Sequence, residues 1–253
     1  MIRAHETSTL TSRFSNRAEN YLLYRPAYPP AVLDFLQEVA GLRHDHSIAD
    51  IGSGTGRFTK LLLDKGYSVT AVEPNEAMRT TAEKNLSSYT GFRSQAGEAE
   101  QTGLTAESID LITIAHAFHW MDIGDTKAEC QRILKPGGQT VLLWMIRQTH
   151  TEFLAAYDRL KKQFRSGEAP PLIDKESIHA FFEPVPVQSH SIAHNNWVNF
   201  DGLKGLLLSS SGIPLPGQPH YDTMISSLVQ LFVAFNINGF VNMEYETRIY
   251  MAG

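Results

Sequence analysis

The chain has 253 residues, of which 42% are hydrophobic and 19% charged, and its formal net charge is -5. This composition is that of a globular enzyme, and the acidic balance argues against a nucleic-acid partner, which needs a basic face. The one cysteine, Cys130, excludes an internal disulfide and favours a reducing compartment. No apolar run reaches membrane-spanning length and the first residues lack a secretory core, so we expect no membrane partner and a cytoplasmic protein.

Strands and helices alternate over the first 147 residues, which is typical of an α/β, doubly wound and mostly parallel sheet. The strands are predicted at 47–51, 68–72, 92–96, 109–115 and 139–147, and the helices at 31–40, 58–65, 76–86 and 125–134. We expect one domain with a seven-stranded Rossmann-like sheet. Its parts are an N-terminal cap (1–40), a cofactor-binding core (41–147), an inserted helical lid with the substrate region (148–238) and a final strand (239–253).

Three glycines, Gly52, Gly54 and Gly56, follow the apolar residues Ile48–Ile51 directly. Glycines let the chain turn tightly and let a ligand lie against the backbone, while the next helix offers unpaired N–H groups. A dinucleotide site favours Gly-x-Gly-x-x-Gly, but here the third glycine falls one residue early and Arg57 takes its usual place. The spacing therefore favours a smaller ligand whose tail crosses the loop; the alternative is a tight turn without a ligand.

Two carboxylates follow the next two predicted strands, at the edge where such sheets bind ligands. Glu73 could accept hydrogen bonds from both hydroxyls of a ribose. Glu98 could accept from an adenine amino group, while the N–H of Ala99 faces a ring nitrogen. The alternatives are a solvated surface glutamate for Glu73 and a helix-capping or surface acid for Glu98, with Glu100 a less favoured substitute. Together these residues predict a pocket for an adenosine joined to a charged tail.

With these motifs the chain resembles the class I S-adenosylmethionine-dependent methyltransferases. The matching segments are residues 49–56, 71–78, 97–100, 109–120 and 134–138. Residues 24–29 and 117–120 are similar to a subgroup of small-molecule enzymes like trans-aconitate methyltransferase, and residues 209–214 and 245–250 also fit it. Gly212 stands where many relatives in that subgroup carry a tyrosine.

The resemblance implies that the cofactor is S-adenosyl-L-methionine, which leaves as S-adenosyl-L-homocysteine. Its implied contacts are Asp50 and the three glycines at the methionine end, Glu73 at the ribose, Glu98 and Ala99 at the adenine, Ala115 and His116 beside the methionine tail, and Tyr21 and Arg25 as a lid.

Methyl transfer depends mainly on alignment, and a base is needed only if the acceptor arrives protonated. His119 is the first candidate base and His116 the second, because histidine titrates near neutrality; the alternative for His119 is a structural or orienting role. The candidate substrate residues are Trp120, Trp144, Arg147 and Trp197. Arg147 could hold an acidic substrate or be a surface arginine. We expect no metal, since His44 and His46 fit a surface loop.

A lid and an acidic surface favour a small-molecule acceptor, methylated on oxygen, nitrogen or carbon by in-line displacement. The alternative function is a non-catalytic S-adenosylmethionine-binding sensor or scaffold protein. A monomer or homodimer is expected, and the sequence leaves the acceptor open.

Overall fold

The computed structural model describes residues 23–167 and 174–253. Its contacts form two compact units, which we describe separately. The sheet unit comprises the described residues within 27–145, 171–192 and 247–253, and the helical unit those within 1–26, 146–170 and 193–246.

The described residues form a seven-stranded sheet in the order β3-β2-β1-β4-β5-β7-β6, which confirms the predicted α/β fold class. The strands are β1 (Ser47–Ile51), β2 (Ser68–Val72), β3 (Phe92–Gln95), β4 (Ile109–Ala115), β5 (Leu134–Arg147), β6 (Val187–Val198) and β7 (Val241–Ala252). The helices are α1 (Ala31–Glu38), α2 (Arg57–Leu63), α3 (Glu76–Leu86), α4 (Ile123–Ile133), α5 (Glu152–Phe164), α6 (Lys175–Phe182), α7 (Phe200–Leu208) and α8 (Tyr221–Phe235). None of the helices in the described ranges is long and apolar enough to cross a membrane.

Parallel pairing aligns the carboxyl ends of the strands in the sheet unit. β1 pairs with β2 and β4, β2 pairs with β3, and β4 pairs with β5, all in parallel. β1 and β4 are apolar runs because both faces of the sheet are covered, and Ile48, Ile112 and Leu142 are at most 1% exposed. The residues that follow β1, β2, β3 and β4 therefore meet at one edge.

The predicted start of the fifth strand at Gln139 is wrong. β5 begins at Leu134, and the pairing shifts from Ile109 opposite Leu134 to Leu111 opposite Gln139. A Cβ on Gly138 would lie 3.0 Å from the carbonyl oxygen of Asp110, so a glycine lets the bulged strand stay close to β4. The Lys135–Gly138 segment, which lies between the predicted helix and the predicted strand, is thus part of an irregular strand.

The helical unit contains α5, α7 and α8, within the region predicted as an inserted helical lid. Aromatic rings join them: the centroids of Phe153 and Phe235 are 5.9 Å apart, and those of Phe200 and Phe232 are 5.5 Å apart. On α7, a Cβ at Gly205 would lie only 2.1 Å from the ring of Tyr24, so the glycine is what lets that ring rest on the helix.

Candidate active site at the carboxyl edge of the sheet

The glycine loop between β1 and α2 has a left-handed backbone at Gly52, Gly54 and Gly56, with φ of 68°, 59° and 79°. A Cβ on Gly52 would lie 2.6 Å from the Cβ of Ala117, and one on Gly56 would lie 2.5 Å from a methyl carbon of Leu86. No atom lies within 4 Å of a Cβ placed on Gly54. Two of the glycines are therefore required by packing, and the third leaves open space beside the backbone.

Glu73, the residue after β2, ties this loop to the sheet. Its Oε2 accepts from the N–H of Gly54 at 2.8 Å and its Oε1 from the N–H of Asn75 at 2.9 Å. Burial raises the pKa of Glu73, and these two hydrogen bonds oppose that effect. Each carboxylate oxygen can accept more than one bond, so the group retains capacity for two ligand hydroxyls.

Asp50 lies in β1 and is fully buried. Its carboxylate accepts from the hydroxyls of Thr59 at 2.6 Å and Thr113 at 3.0 Å, and burial raises its pKa to about 6. Asp50 thus links β1 to α2 and β4, and its predicted contact with the methionine end stays a prediction. The sequence reasoning missed both threonines, although Thr113 is a polar residue inside the apolar run of β4.

The turn after β3 presents Glu98 and Ala99. Glu98 is exposed, whereas Ala99 is 6% exposed. The neighbouring Glu100 accepts a hydrogen bond from the N–H of Asp122 at 2.7 Å, at the start of α4. Glu100 is thereby engaged in holding the fold, and Glu98 is the carboxylate exposed at this strand end.

β4 ends in Ala115 and His116, and His116 has a left-handed φ of 60°. Its N–H donates to the carbonyl oxygen of Leu143 at 2.7 Å. This conformation costs a residue with a Cβ about 1–3 kcal/mol, and such strain clusters at functional sites. The turn brings the ring centroid of His116 within 5.7 Å of that of His119, which lies 4.7 Å from Trp120.

Four buried polar atoms at these elements have no hydrogen-bond partner among the described residues: Ser53 Oγ, Thr55 Oγ1, His119 Nδ1 and Trp144 Nε1. Leaving such groups unpaired costs free energy, which a polar ligand would offset. Burial also lowers the pKa of His119 to about 4, so its ring is neutral at pH 7. The sequence reasoning missed Ser53 and Thr55; their signal was a polar residue between each pair of glycines.

The candidate substrate residues do not form one group. Trp120 lies beside His119, and Trp144 is 3% exposed in the sheet unit, where its ring packs 5.8 Å from Tyr250. Trp197 belongs to the helical unit and is 54% exposed.

The other predicted site residues lie elsewhere. Arg147 pairs with Asp158 at 2.6 Å and is therefore a paired arginine of the helical unit. Arg25 donates from Nε to the hydroxyl of Ser209 at 3.1 Å in the same unit. Tyr21 lies outside the described residues.

The residues at the sheet edge lie in a segment that is similar to known methyltransferases. Residues 49–142 match the family described as a methyltransferase domain. The chain is 29% identical over 198 residues to an uncharacterized methyltransferase of Mycobacterium tuberculosis, covering 78% of this chain and 76% of that protein. The segment matched by the family holds the glycine loop, Glu73, Glu98 and both histidines.

Solved structures share the fold. A protein proposed to be a type II methyltransferase, from Anaeromyxobacter dehalogenans, matches with a TM-score of 0.66 and 22% identity, over 91% of this chain and 97% of that one. Phosphoethanolamine N-methyltransferase 2 of Haemonchus contortus, solved with S-adenosyl-L-methionine, matches with a TM-score of 0.56 and 15% identity, over 99% of this chain and 58% of that one.

S-adenosylmethionine carries groups that fit the residues at the sheet edge. It has ribose hydroxyls for the Glu73 carboxylate, and polar groups that can pair with the unpartnered hydroxyls of Ser53 and Thr55. Together with the comparisons, these features identify the protein as a methyltransferase that uses S-adenosylmethionine.

Proposed function

We propose that the protein transfers the methyl group of S-adenosylmethionine to a small-molecule acceptor by in-line displacement at the sulfonium. One observation carries the proposal. Four features lie together at the carboxyl edge of the parallel strands: the open glycine loop, the buried carboxylate of Glu73, the exposed carboxylate of Glu98 and the strained turn at His116. When bound, the cofactor supplies a methyl group activated by the positive sulfur.

The backbone loop of Gly52, Gly54 and Gly56 would lie along the methionine part of the cofactor, because Gly54 leaves the space beside it open. Glu73 would accept the ribose hydroxyls with the lone pairs that its backbone hydrogen bonds leave over. Glu98 would accept from the adenine amino group.

Ala115 and His116 would flank the methionine tail, because they end β4 beside the end of β1. Asp50 and Thr113 are register partners, so Gly52 and Ala115 each follow two residues later. Asp50 would help to position the loop for the methionine end, since its carboxylate binds Thr59 of α2 and Thr113 of β4.

His119 would accept a hydrogen bond or a proton from the nucleophile of the acceptor. Its lowered pKa keeps the imidazole neutral and able to accept throughout the neutral pH range, and its buried Nδ1 has no partner among the described residues. Alignment supplies most of the remaining acceleration. A carboxylate acceptor would need no base, whereas an amine or hydroxyl would.

The acceptor class is tested by incubating the whole chain with radiolabelled methyl donor and three separate pools: metabolites below 1 kDa by filtration (roughly the small-molecule range), protein and nucleic acid. We expect label in the metabolite pool. Label found only in protein or nucleic acid, or in none of the pools, would contradict the proposal.

The cofactor contact is tested by calorimetry with S-adenosylhomocysteine. We expect Glu73→Ala to bind at least about tenfold more weakly, because a hydrogen bond to a charged group is worth about 1.5–3 kcal/mol. Glu76→Ala, which removes an exposed carboxylate of α3, is the matched control and should bind like the parent. Equal binding by Glu73→Ala and the parent would refute the ribose assignment.

The role of His119 is tested by turnover between pH 6 and 9. We expect His119→Ala to lower kcat by about 100-fold if the acceptor arrives protonated, and His119→Asn to recover part of it through its polar amide. Above pH 5 the kcat of the parent should not change with pH through titration of His119, because the pKa of His119, about 4, lies below that range. Unchanged turnover in His119→Ala would remove it from the mechanism.

A further inference from the structure

The described part of the helical unit contains a basic cluster, which consists of Arg25, Arg147, Lys161 and Arg165 near the carboxylate of Asp158. Lys161 is electrostatically coupled to the three arginines and to Asp158, and Arg165 to Arg25, Arg147 and Asp158. The whole chain carries a net charge of -5, so this grouping of cations departs from the average of the molecule.

Helix α5 supplies one side of the basic cluster. Asp158 and Lys161 are three residues apart, which places them on one face of the helix, and Arg165 directly follows its last residue. The guanidinium of Arg147 lies 4.8 Å from the ring centroid of Tyr157 on the same helix. Arg25 is fixed by its hydrogen bond to Ser209. The guanidinium groups of Arg147 and Arg25 are thereby held in place by the fold.

The hydrogen-bonding capacity of the basic cluster is not filled. The Nε atoms of Arg147 and Arg165 are buried and have no partner among the described residues. Asp158 is bound by Arg147 at 2.6 Å and also by the exposed Lys162 at 2.9 Å. In the described ranges no ion pair reaches Lys161, and burial together with the three arginines lowers its pKa well below the usual value. Among the described residues, Asp158 is the carboxylate that stabilises the charges of Lys161 and Arg165, so a bound anion would offset the remaining repulsion between the cations.

We propose that Arg147, Lys161 and Arg165, with Arg25, form a binding site for a small organic anion that carries a carboxylate or phosphate group. Guanidinium forks bind both groups through two parallel hydrogen bonds, and the amino group of Lys161 can add a further N–H donor. This next inference rests on the proposed function: such acids are the first class of methyl acceptor to test. Anion binding itself does not depend on that function.

The proposal is tested by calorimetry on the whole chain without methyl donor, using citrate in one series and inorganic phosphate in the other, with ionic strength matched by sodium chloride. We expect saturable binding of at least one probe. The double variant Lys161→Met/Arg165→Gln should bind at least about tenfold more weakly, because charge-assisted hydrogen bonds are lost. The matched control is Arg159→Gln, which removes an exposed cation of α5 and should bind like the parent.

Binding of citrate alone would assign the site to carboxylates, and binding of phosphate alone to phosphate esters. The proposal is overturned if neither probe binds beyond the chloride control, or if the double variant binds as well as the parent. Circular dichroism checks that the double variant folds; if it does not, Arg165→Gln alone must show the loss. Because methyl transfer is assayed separately, failure here leaves the proposed function standing, and the reverse also holds.

Discussion

The two units hold their buried charges in opposite ways. In the sheet unit, the carboxylates of Asp50 and Glu73 accept hydrogen bonds from groups of nearby loops, of β4 and of α2. In the helical unit, Arg147 and Lys161 belong to a cluster with more cations than carboxylates. The first arrangement satisfies its carboxylates with hydrogen bonds, whereas the second has more cations than carboxylates among the described residues. Disturbing the geometry should therefore damage the sheet unit, and removing charge should stabilise the helical unit.

The largest effect is expected from Gly52→Ala. The added Cβ would lie 2.6 Å from that of Ala117, and the backbone has a left-handed φ of 68°. Left-handed strain of about 1–2 kcal/mol and overpacking of about 1–3 kcal/mol together predict a loss of about 3 kcal/mol in the free energy of unfolding. Denaturant titration measures this loss, and calorimetry should show that S-adenosylhomocysteine binding is lost.

Gly66→Ala, beyond the end of α2, is the matched control for Gly52→Ala. Its φ is 82°, but a Cβ would meet no atom within 4 Å. It should lose only the backbone term, about 1–2 kcal/mol, and keep its affinity. If both variants lost equal stability, close packing at Gly52 would not be what fixes the loop.

The next effect concerns Asp50, whose pKa is raised by burial from 3.8 to about 6. The folded state holds this proton more tightly, so the group contributes stability that is present below pH 3.8 and lost as pH rises through about 6. Two pH units correspond to about 3 kcal/mol. Asp50→Asn, neutral throughout, should therefore gain stability relative to the parent as pH rises from 4 to 7, measured by denaturant titration at each pH.

Asp110→Asn tests the sign of this argument. The hydrogen bond and ion pair with Lys135 lower the pKa of Asp110 despite its partial burial. The stability that Asp110 contributes is present above the pKa that this group has in the unfolded chain, and it is lost as pH falls. Relative to the parent, this variant should lose stability as pH rises. Parallel curves for the two variants would contradict the contrast.

The smallest expected effect is a gain in thermal stability, in Lys161→Met. Burial and three arginines lower the pKa of Lys161, so the unfolded chain binds its proton more readily and stability falls as pH drops below 10.5. Lys161→Met should raise Tm by about 2–4 °C at pH 7.5, on the order of 1 kcal/mol. The gain should shrink as pH rises toward 10, in scanning calorimetry without added anions. Arg159→Gln should change Tm little, and a lower Tm in Lys161→Met would mean that its charge is already compensated.

Local sequence patterns predicted the sheet unit well, because its features come from adjacent residues. The glycines after β1 and Glu73 after β2 lie where the alternation of strands and helices predicts them. Patterns failed where distant contacts decide: the start of β5 depends on its pairing with β4, and helix α6 was not predicted. The roles of Thr59 and Thr113 also required knowing that Asp50 is fully buried between them.

The helical unit shows the limit of such patterns more clearly. Arg25 meets Ser209, and Arg147 meets Asp158 and the ring of Tyr157. Nothing in the spacing of these residues predicts the contacts, since each joins different elements. Gly212, where many members of the resembling subgroup carry a tyrosine, has a φ of 75°, and a Cβ there would lie 2.4 Å from the carbonyl oxygen of Ser166. That position cannot accept a tyrosine without moving the backbone of residue 166.

The contact between Tyr24 and Gly205 constrains how this chain can diverge. The aromatic ring occupies the space where any larger residue on α7 would place its Cβ, only 2.1 Å away. A side chain can therefore arise at position 205 only after the ring at position 24 has been lost or moved. Sequences that descend from this one should change the two positions in a fixed order, with the aromatic residue replaced first.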